Sequence, residues 1–203
     1  MSNVYLISDT HFAHKNIMKY ENRPFKDLID MREKLILNWS MLVKPEDTVI
    51  HLGDFGMCNK DAASEILSRL NGHKILIKGN HDSHGDQWFL DAGFEEVHKY
   101  LVLHEKDKVI LCTHQPYKIP EEFKNRYDLH LYGHVHGKGN EPGLYPTIAR
   151  NGACMCVERW DYKPVLLDEV IDLCASAPHS FNEAARNQVE SDSEEIENEK
   201  END

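Results

Sequence analysis

The chain reads as an α/β protein, a sandwich of two β-sheets flanked by helices, on three observations. Its first half alternates short apolar runs with stretches of helical spacing, whereas its second half is rich in strand-like segments and poor in helical ones. Five of the apolar runs end in polar, metal-capable residues: Asp9-Thr10-His11, Gly53-Asp54, Gly79-Asn80-His81-Asp82, Thr113-His114 and Gly133-His134-Val135-His136.

Residues 4–8 are nearly all apolar, as expected of a buried strand, and residues 14–20 form a short helix before Arg23-Pro24 breaks the chain. Residues 27–43 place Leu28, Met31, Leu35, Trp39 and Leu42 on one helical face, with Asp27 as N-cap. After the loop Lys44-Pro45-Glu46-Asp47, residues 48–52 are a second strand. Residues 59–70 are a helix capped by Asn59 or Asp61, with Ile66, Leu67 and Leu70 inward and Asn71-Gly72 ending it. Residues 73–78 follow as a third strand and residues 87–91 as a short helix. Residues 96–103 and 108–113 read as two strands around a turn, residues 115–127 as a loop and residues 128–132 as a strand running into His134. Residues 153–157 are one more strand, Trp160-Asp161-Tyr162 a turn or short edge segment, and residues 167–175 a final helix. The sequence has no internal repeat.

With 203 residues and 40% hydrophobic content, one compact domain over residues 1–175 is expected. Residues 176–203 hold nine acidic and two basic residues, so −7 of the net charge of −12 falls there; with almost nothing apolar to bury, this tail is expected to be disordered. An acidic body argues against sequence-independent binding of long nucleic acid. No run approaches the roughly 18 apolar residues of a membrane span, and no basic leader precedes Val4, so a soluble, cytoplasmic protein is expected. Five cysteines without CxxC spacing argue against a disulfide framework or a zinc knuckle. Cys154 and Cys156 share one face of a strand, but a two-cysteine clip lacks further zinc ligands.

Ligands in open α/β sheets bind beyond the carboxyl ends of strands, where all five polar endings lie. Such residues are either solvated turns or parts of a site, because burial without partners is costly. Brought together, Asp9, His11, Asp54, Asn80, His114, His134 and His136 offer two carboxylates, four imidazoles and one amide oxygen. That set exceeds one ion and suits two, roughly 3.5 to 4 Å apart, with a carboxylate such as Asp54 shared. Nitrogen and oxygen donors without thiolate favour manganese, iron, zinc, cobalt or nickel over magnesium or calcium. Asp9 and His11, like His134 and His136, are two apart and can face one side.

In this order the stretches resemble the calcineurin-like metallophosphoesterases: Asp-x-His, Gly-Asp, Gly-Asn-His-Asp, Thr-His and Gly-His-x-His. Residues 9–17, His51-Leu52-Gly53-Asp54-Phe55, residues 131–137 and Trp160-Asp161-Tyr162-Lys163-Pro164 are similar to the compact bacterial and phage branch. The resemblance runs from about Val4 to about Val170 and implies a four-layer αββα sandwich. It also implies one metal held by Asp9, His11, Asp54 and His136, and another held by Asp54, Asn80, His114 and His134, with manganese the first expectation. Asp54 then bridges. His81 is left to contact phosphate and protonate the leaving oxygen, with Asp82 orienting its ring or, alternatively, capping a helix. Hydroxide attacks phosphorus in line, without a covalent intermediate.

Departures from the family narrow the substrate. Its phosphoprotein phosphatases follow Gly-Asp with Asp-Arg-Gly and have Glu after Gly-Asn-His, whereas here Phe55-Gly56-Met57-Cys58 follows and the residue is Asp82. Phosphate-contacting cations must come from elsewhere; Lys15, Arg23 and Lys78 are candidates, or are solvated charges. His14 and Asn16 line the same pocket or cap a helix. The expected activity is hydrolysis of a phosphodiester, either a small molecule or a nucleotide. The alternatives are a phosphomonoesterase or phosphoprotein phosphatase, a nuclease, which would need a capping domain and a basic groove, and a noncatalytic scaffold, against which the intact ligand set argues.

Overall fold

The computed structural model describes residues 2–137 and 145–178. In the first sheet β1 (Val4–Ile7), β2 (Thr48–His51), β3 (His73–Ile77) and β4 (Glu96–His98) run parallel, and β10 (Val165–Leu166) lies antiparallel on the free edge of β1. These strands are apolar on both faces because both are covered. With the period of two, Leu6, Ile50 and Ile77 face the second sheet, while Ile7, Val49 and Leu76 face helices.

Four helices make that covering layer: α1 (Lys15–Tyr20), α2 (Leu28–Leu42), α3 (Lys60–Arg69) and α4 (Asp86–Ala92). They contribute Ile17, Met31, Leu35, Trp39, Ile66, Leu67 and Phe89 to one buried cluster. The Asp27 carboxylate accepts from the amides of Ile29 and Asp30, and the Asn59 side chain from Ala62, so both expected N-caps hold their helices. Leu42 differs from its expected inward place: it is 40% exposed at the last turn of α2, and Ile36 is buried instead.

The second sheet comprises β5 (Leu101–Glu105), β6 (Lys108–Cys112), β7 (Leu129–Tyr132), β8 (Ile148–Ala149) and β9 (Gly152–Cys154), in the order β5-β6-β7-β9-β8. Its three central strands are parallel and its edges antiparallel. Ile110, Cys112, Leu129, Leu131 and Ala153 meet the first sheet across the core, and α5 (Leu167–Ser176) adds Leu167, Val170, Ile171 and Cys174. The opposite face of this sheet carries a small cluster of Tyr132, Tyr145, Ala149, Cys154 and Cys156, to which no described α-helix contributes. The helical cover is therefore thick on one side and thin on the other.

Two expected strands come out differently. The segment over residues 96–103 is two strands in different sheets: β4 pairs with β3 and β5 with β6, and the chain crosses over at Lys99-Tyr100. The strand expected over residues 153–157 stops at Cys154; a bridge between Ser8 and Cys156 then ties the two sheets, and a 3-10 turn, Val157–Arg159, follows. The two-residue strands β8 and β10 were not expected. Packing continues past α5, where Arg150 donates to the carbonyls of Ala177 and Pro178. Residues 179–203 of the expected acidic tail lie outside the described residues. Among the described residues no helix is long and apolar enough to cross a membrane.

Candidate metal centre

The ligand candidates follow β1, β2, β3, β6 and β7, so parallel strands of both sheets deliver them to one side of the sandwich. Five of the seven, Asp9, His11, Asp54, His134 and His136, have φ between 44° and 74°. Such left-handed backbone costs a non-glycine residue about 1–3 kcal/mol and concentrates at functional sites. Two glycines allow the close approach. A Cβ on Gly79 would strike the Asp54 carboxylate, and one on Gly133 would strike Ser8 Oγ and Asp9 Oδ2.

Two groups result, Asp9 with His11 and His136, and Asp54 with His114 and His134, each with its donor atoms within 4.8 Å of one another. Asp9 Oδ1 is 3.4 Å from His136 Nε2 and 3.9 Å from His11 Nε2. Asp54 Oδ2 is 3.5 Å from His11 Nε2 and 3.3 Å from His114 Nε2, so one carboxylate faces an imidazole of each group. Asn80 Oδ1 joins the second group, 3.0 Å from His114 Nε2. The Nδ1–H of His114 donates to the Leu52 carbonyl at 2.8 Å, and Nδ1–H of His136 to Glu158 at 3.1 Å, turning the Nε2 atoms inward.

Each group holds one imidazole whose pKa is raised by a carboxylate and one whose pKa is lowered by burial. Burial opposes protonation of His114, but Asp54 outweighs it and raises the imidazole to about 9. His136 is raised to about 9 in the same way, by Asp9 and then Glu158 against burial. Burial lowers His11 well below its usual value and takes His134 to about 3. Burial also opposes the charge on Asp54, yet His114, by charge and hydrogen bond, holds it below the usual carboxylate range. One carboxylate in each group thus favours the charged form of an imidazole beside it, Asp54 that of His114 and Asp9 that of His136. A divalent ion fits in place of the imidazolium proton. The buried His11 Nε2 has no hydrogen-bond partner, as expected of an atom kept for a metal.

Behind the ligands stand groups that position them. Asp82 does not orient the His81 ring: its carboxylate accepts from the amides of Asp54 at 2.7 Å, Phe55 at 3.1 Å and Gly79 at 2.8 Å, clamping two ligand loops together. Arg23 is not a phosphate contact either. It is buried, donates to the carbonyls of Asp9 and Thr10 at 2.6 and 2.8 Å, and pairs with Glu158 at 2.6 Å. Phe25 and Tyr162 pack ring to ring at 4.7 Å, and the Arg23 guanidinium lies 5.9 Å from the Tyr162 ring centre, so the Arg23-Pro24-Phe25 turn docks on the segment after β9. Beneath each sheet's ligands lies a buried Thr–His pair. Nδ1 of His51 accepts from Gly53, so Nε2–H donates to Thr10, which donates to the Phe55 carbonyl; Thr113 lies 2.8 Å from His130 Nε2 and donates to the Gln115 carbonyl.

The His81 ring is exposed at the mouth, 5.4 Å from the His11 ring and 6.0 Å from that of His14, while its amide donates to Asp54 Oδ1 at 2.9 Å. His14 also lies 3.3 Å from His11 through their Nδ1 atoms, and burial lowers its pKa. Lys15 and Asn16 are exposed on the first turn of α1. Lys78 donates to the His84 carbonyl at 2.7 Å and to Asp86 at 3.1 Å. Sequence reasoning missed Glu158 and Tyr117, whose hydroxyl lies 3.0 Å from His134 Nε2. A lone Glu before a turn and a Tyr in a loop carry no spacing signal; only the proximity of Glu158 to Trp160-Asp161-Tyr162 hinted at a role.

Sequence comparison places residues 3–144 in the Calcineurin-like phosphoesterase superfamily domain. An uncharacterized protein of Methanocaldococcus jannaschii, MJ1445, is 36% identical over 180 residues, covering 85% of this chain and 92% of that protein. The Gene 66 protein of Mycobacterium phage L5 is 34% identical over 85 residues, 40% of this chain and 41% of its own. The crystal structure of AQ665 of Aquifex aeolicus, titled a protein of unknown function, aligns with a TM-score of 0.65 at 31% identity, covering 85% of this chain and all of that one. With its fold, its strand-end ligand order and a match over most of its length, this chain belongs to the calcineurin-like phosphoesterase superfamily.

Proposed function

We propose that the protein is a phosphodiesterase with two divalent transition-metal ions, acting on a small molecule or nucleotide. The observation that carries this reading is Asp54 Oδ2, which faces His11 of one donor group at 3.5 Å and His114 of the other at 3.3 Å, as a carboxylate shared between two ions would. Asp9, His11, Asp54 and His136 would hold one ion, and Asp54, Asn80, His114 and His134 the other. Burial keeps the nearby Cys156 a thiol, leaving the donor set without thiolate, and manganese is the first metal to test. When bound, such ions lower the pKa of water and offset charge on the nonbridging phosphate oxygens.

The chain's own residues supply the remainder. His81 belongs to neither ligand group, is anchored through its amide to Asp54 and projects its ring to the mouth, where it protonates the leaving oxygen. Asp82 fixes the loop carrying Asn80 and His81 against the Asp54 loop. At the reacting phosphorus a dianionic monoester is best held by a bidentate arginine, but Arg23, the arginine behind the ligands, is committed to Asp9, Thr10 and Glu158. A singly charged diester fits that environment. The test compares kcat/KM for bis(4-nitrophenyl) phosphate and 4-nitrophenyl phosphate in manganese-loaded protein. Preference for the diester is expected; preference for the monoester would overturn the reading.

A further inference from the structure

A cleft of about 500 Å³ opens beside the candidate metal centre, with Asn80 and His114 in its lining. That volume is in the range that takes nucleotide-sized ligands. Its walls come from both sheets: Lys99 and Tyr100 from the crossover between β4 and β5, and Lys118, Ile119 and Pro120 from the loop after β6, with Lys78 at the end of β3.

The charge of this cleft departs from that of the molecule. In a chain of net charge −12, its described lining holds three lysines and no carboxylate. Of the acidic groups that touch this lining, Asp54 and Asp82 belong to the candidate metal centre, Asp86 pairs with Lys78 at 3.1 Å and Glu122 accepts from the Tyr100 hydroxyl at 2.8 Å, while Glu121 pairs with Lys124 at 2.6 Å. Lys99 and Lys118 are exposed and enter no ion pair found among the described residues. Tyr100 is held rigid by its hydroxyl bond and by Phe123, whose ring stands 5.5 Å away, and with Ile119 and Pro120 it gives an apolar wall.

We infer that Lys99 and Lys118 form a second anion subsite, so that the substrate carries, besides the phosphodiester cut at the metal centre, a further phosphate seated in this cleft. Compact ammonium groups on flexible stems suit a phosphate dianion, whose oxygens accept from several donors at once. The organic part joining the two phosphates lies along Tyr100, Ile119 and Pro120. The inference rests on the reading of Asp54 and its partners as the reaction centre, because that fixes which end of the substrate enters the cleft.

Two measurements on wild-type protein and the double variant K99E/K118E test it. The first is the ratio of kcat/KM for thymidine 5′-(4-nitrophenyl phosphate) with and without a 3′-phosphate, in manganese-loaded protein. Wild type should prefer the 3′-phosphorylated ester by about tenfold or more, mostly through KM, and the ratio should fall toward one in the variant. The second is calorimetric binding of adenosine 3′,5′-bisphosphate and adenosine 5′-monophosphate to metal-free protein, where the same preference and the same loss are expected. Absence of preference in wild type, or its survival in the variant, would overturn the subsite. If bis(4-nitrophenyl) phosphate is not hydrolysed while the binding preference appears and depends on both lysines, the catalytic reading fails and the anion subsite stands.

Discussion

His81 and Glu158 serve the site from opposite sides, and their substitutions should separate chemistry from scaffolding. His81 is exposed and outside both ligand groups, so His81→Ala should retain both metals yet slow diesters with alkoxide leaving groups by about 10²- to 10⁴-fold. Nitrophenolate leaves without a proton, so nitrophenyl diesters should lose much less; equal losses in kcat/KM would make His81 a phosphate-binding group instead. Glu158 works from behind. It accepts from His136 and offsets the buried Arg23 charge, so Glu158→Gln should lower the free energy of unfolding by about 3 kcal/mol and weaken metal binding by about 10- to 100-fold. Urea denaturation and metal titration measure the two effects, and an unchanged unfolding midpoint would show that Arg23 finds another counter-charge.

Among the elements, the ligand-bearing strands β1, β2, β3, β6 and β7 were legible because each is a short apolar run closed by a polar stretch, and the caps because Asp27 and Asn59 precede amphipathic helices. The crossover at Lys99-Tyr100 was not legible, since no glycine or proline marks it and both flanking strands alternate in the same way. Strands of two residues, such as β8 and β10, are too short to show a period. Asp47 was read as loop material, yet it joins the starts of three strands: its buried carboxylate accepts from the amides of Asn3 and Lys44, and its carbonyl from His73. Those amide bonds lower its pKa below the ordinary 3.8, so the stability it contributes is complete above 3.8 and is lost as pH falls through the depressed value. Asp47→Ala should therefore unfold at lower urea near neutral pH, with the gap to wild type narrowing below pH 3.8; a gap independent of pH would mean that the carboxylate charge contributes nothing.

At the scale of the whole molecule, the site exists because two sheets pack through Leu6, Ile50, Ile77, Ile110, Leu129 and Leu131 with their parallel strands ending on one side. The seven candidate ligands were legible as strand endings, and the structure brings their side chains together. The supporting groups were not, because a buried Arg23 paired with Glu158 across 135 residues of sequence leaves no local pattern. The proposed two-metal centre rests on Asp54 being shared by two ions. Elemental analysis of manganese-loaded wild-type protein and of Asp54→Asn, with diester turnover on the same samples, tests this most directly. Two ions per chain in the wild type, and loss of metal together with rate in the variant, are predicted; fully active wild-type protein holding one ion or none would contradict it.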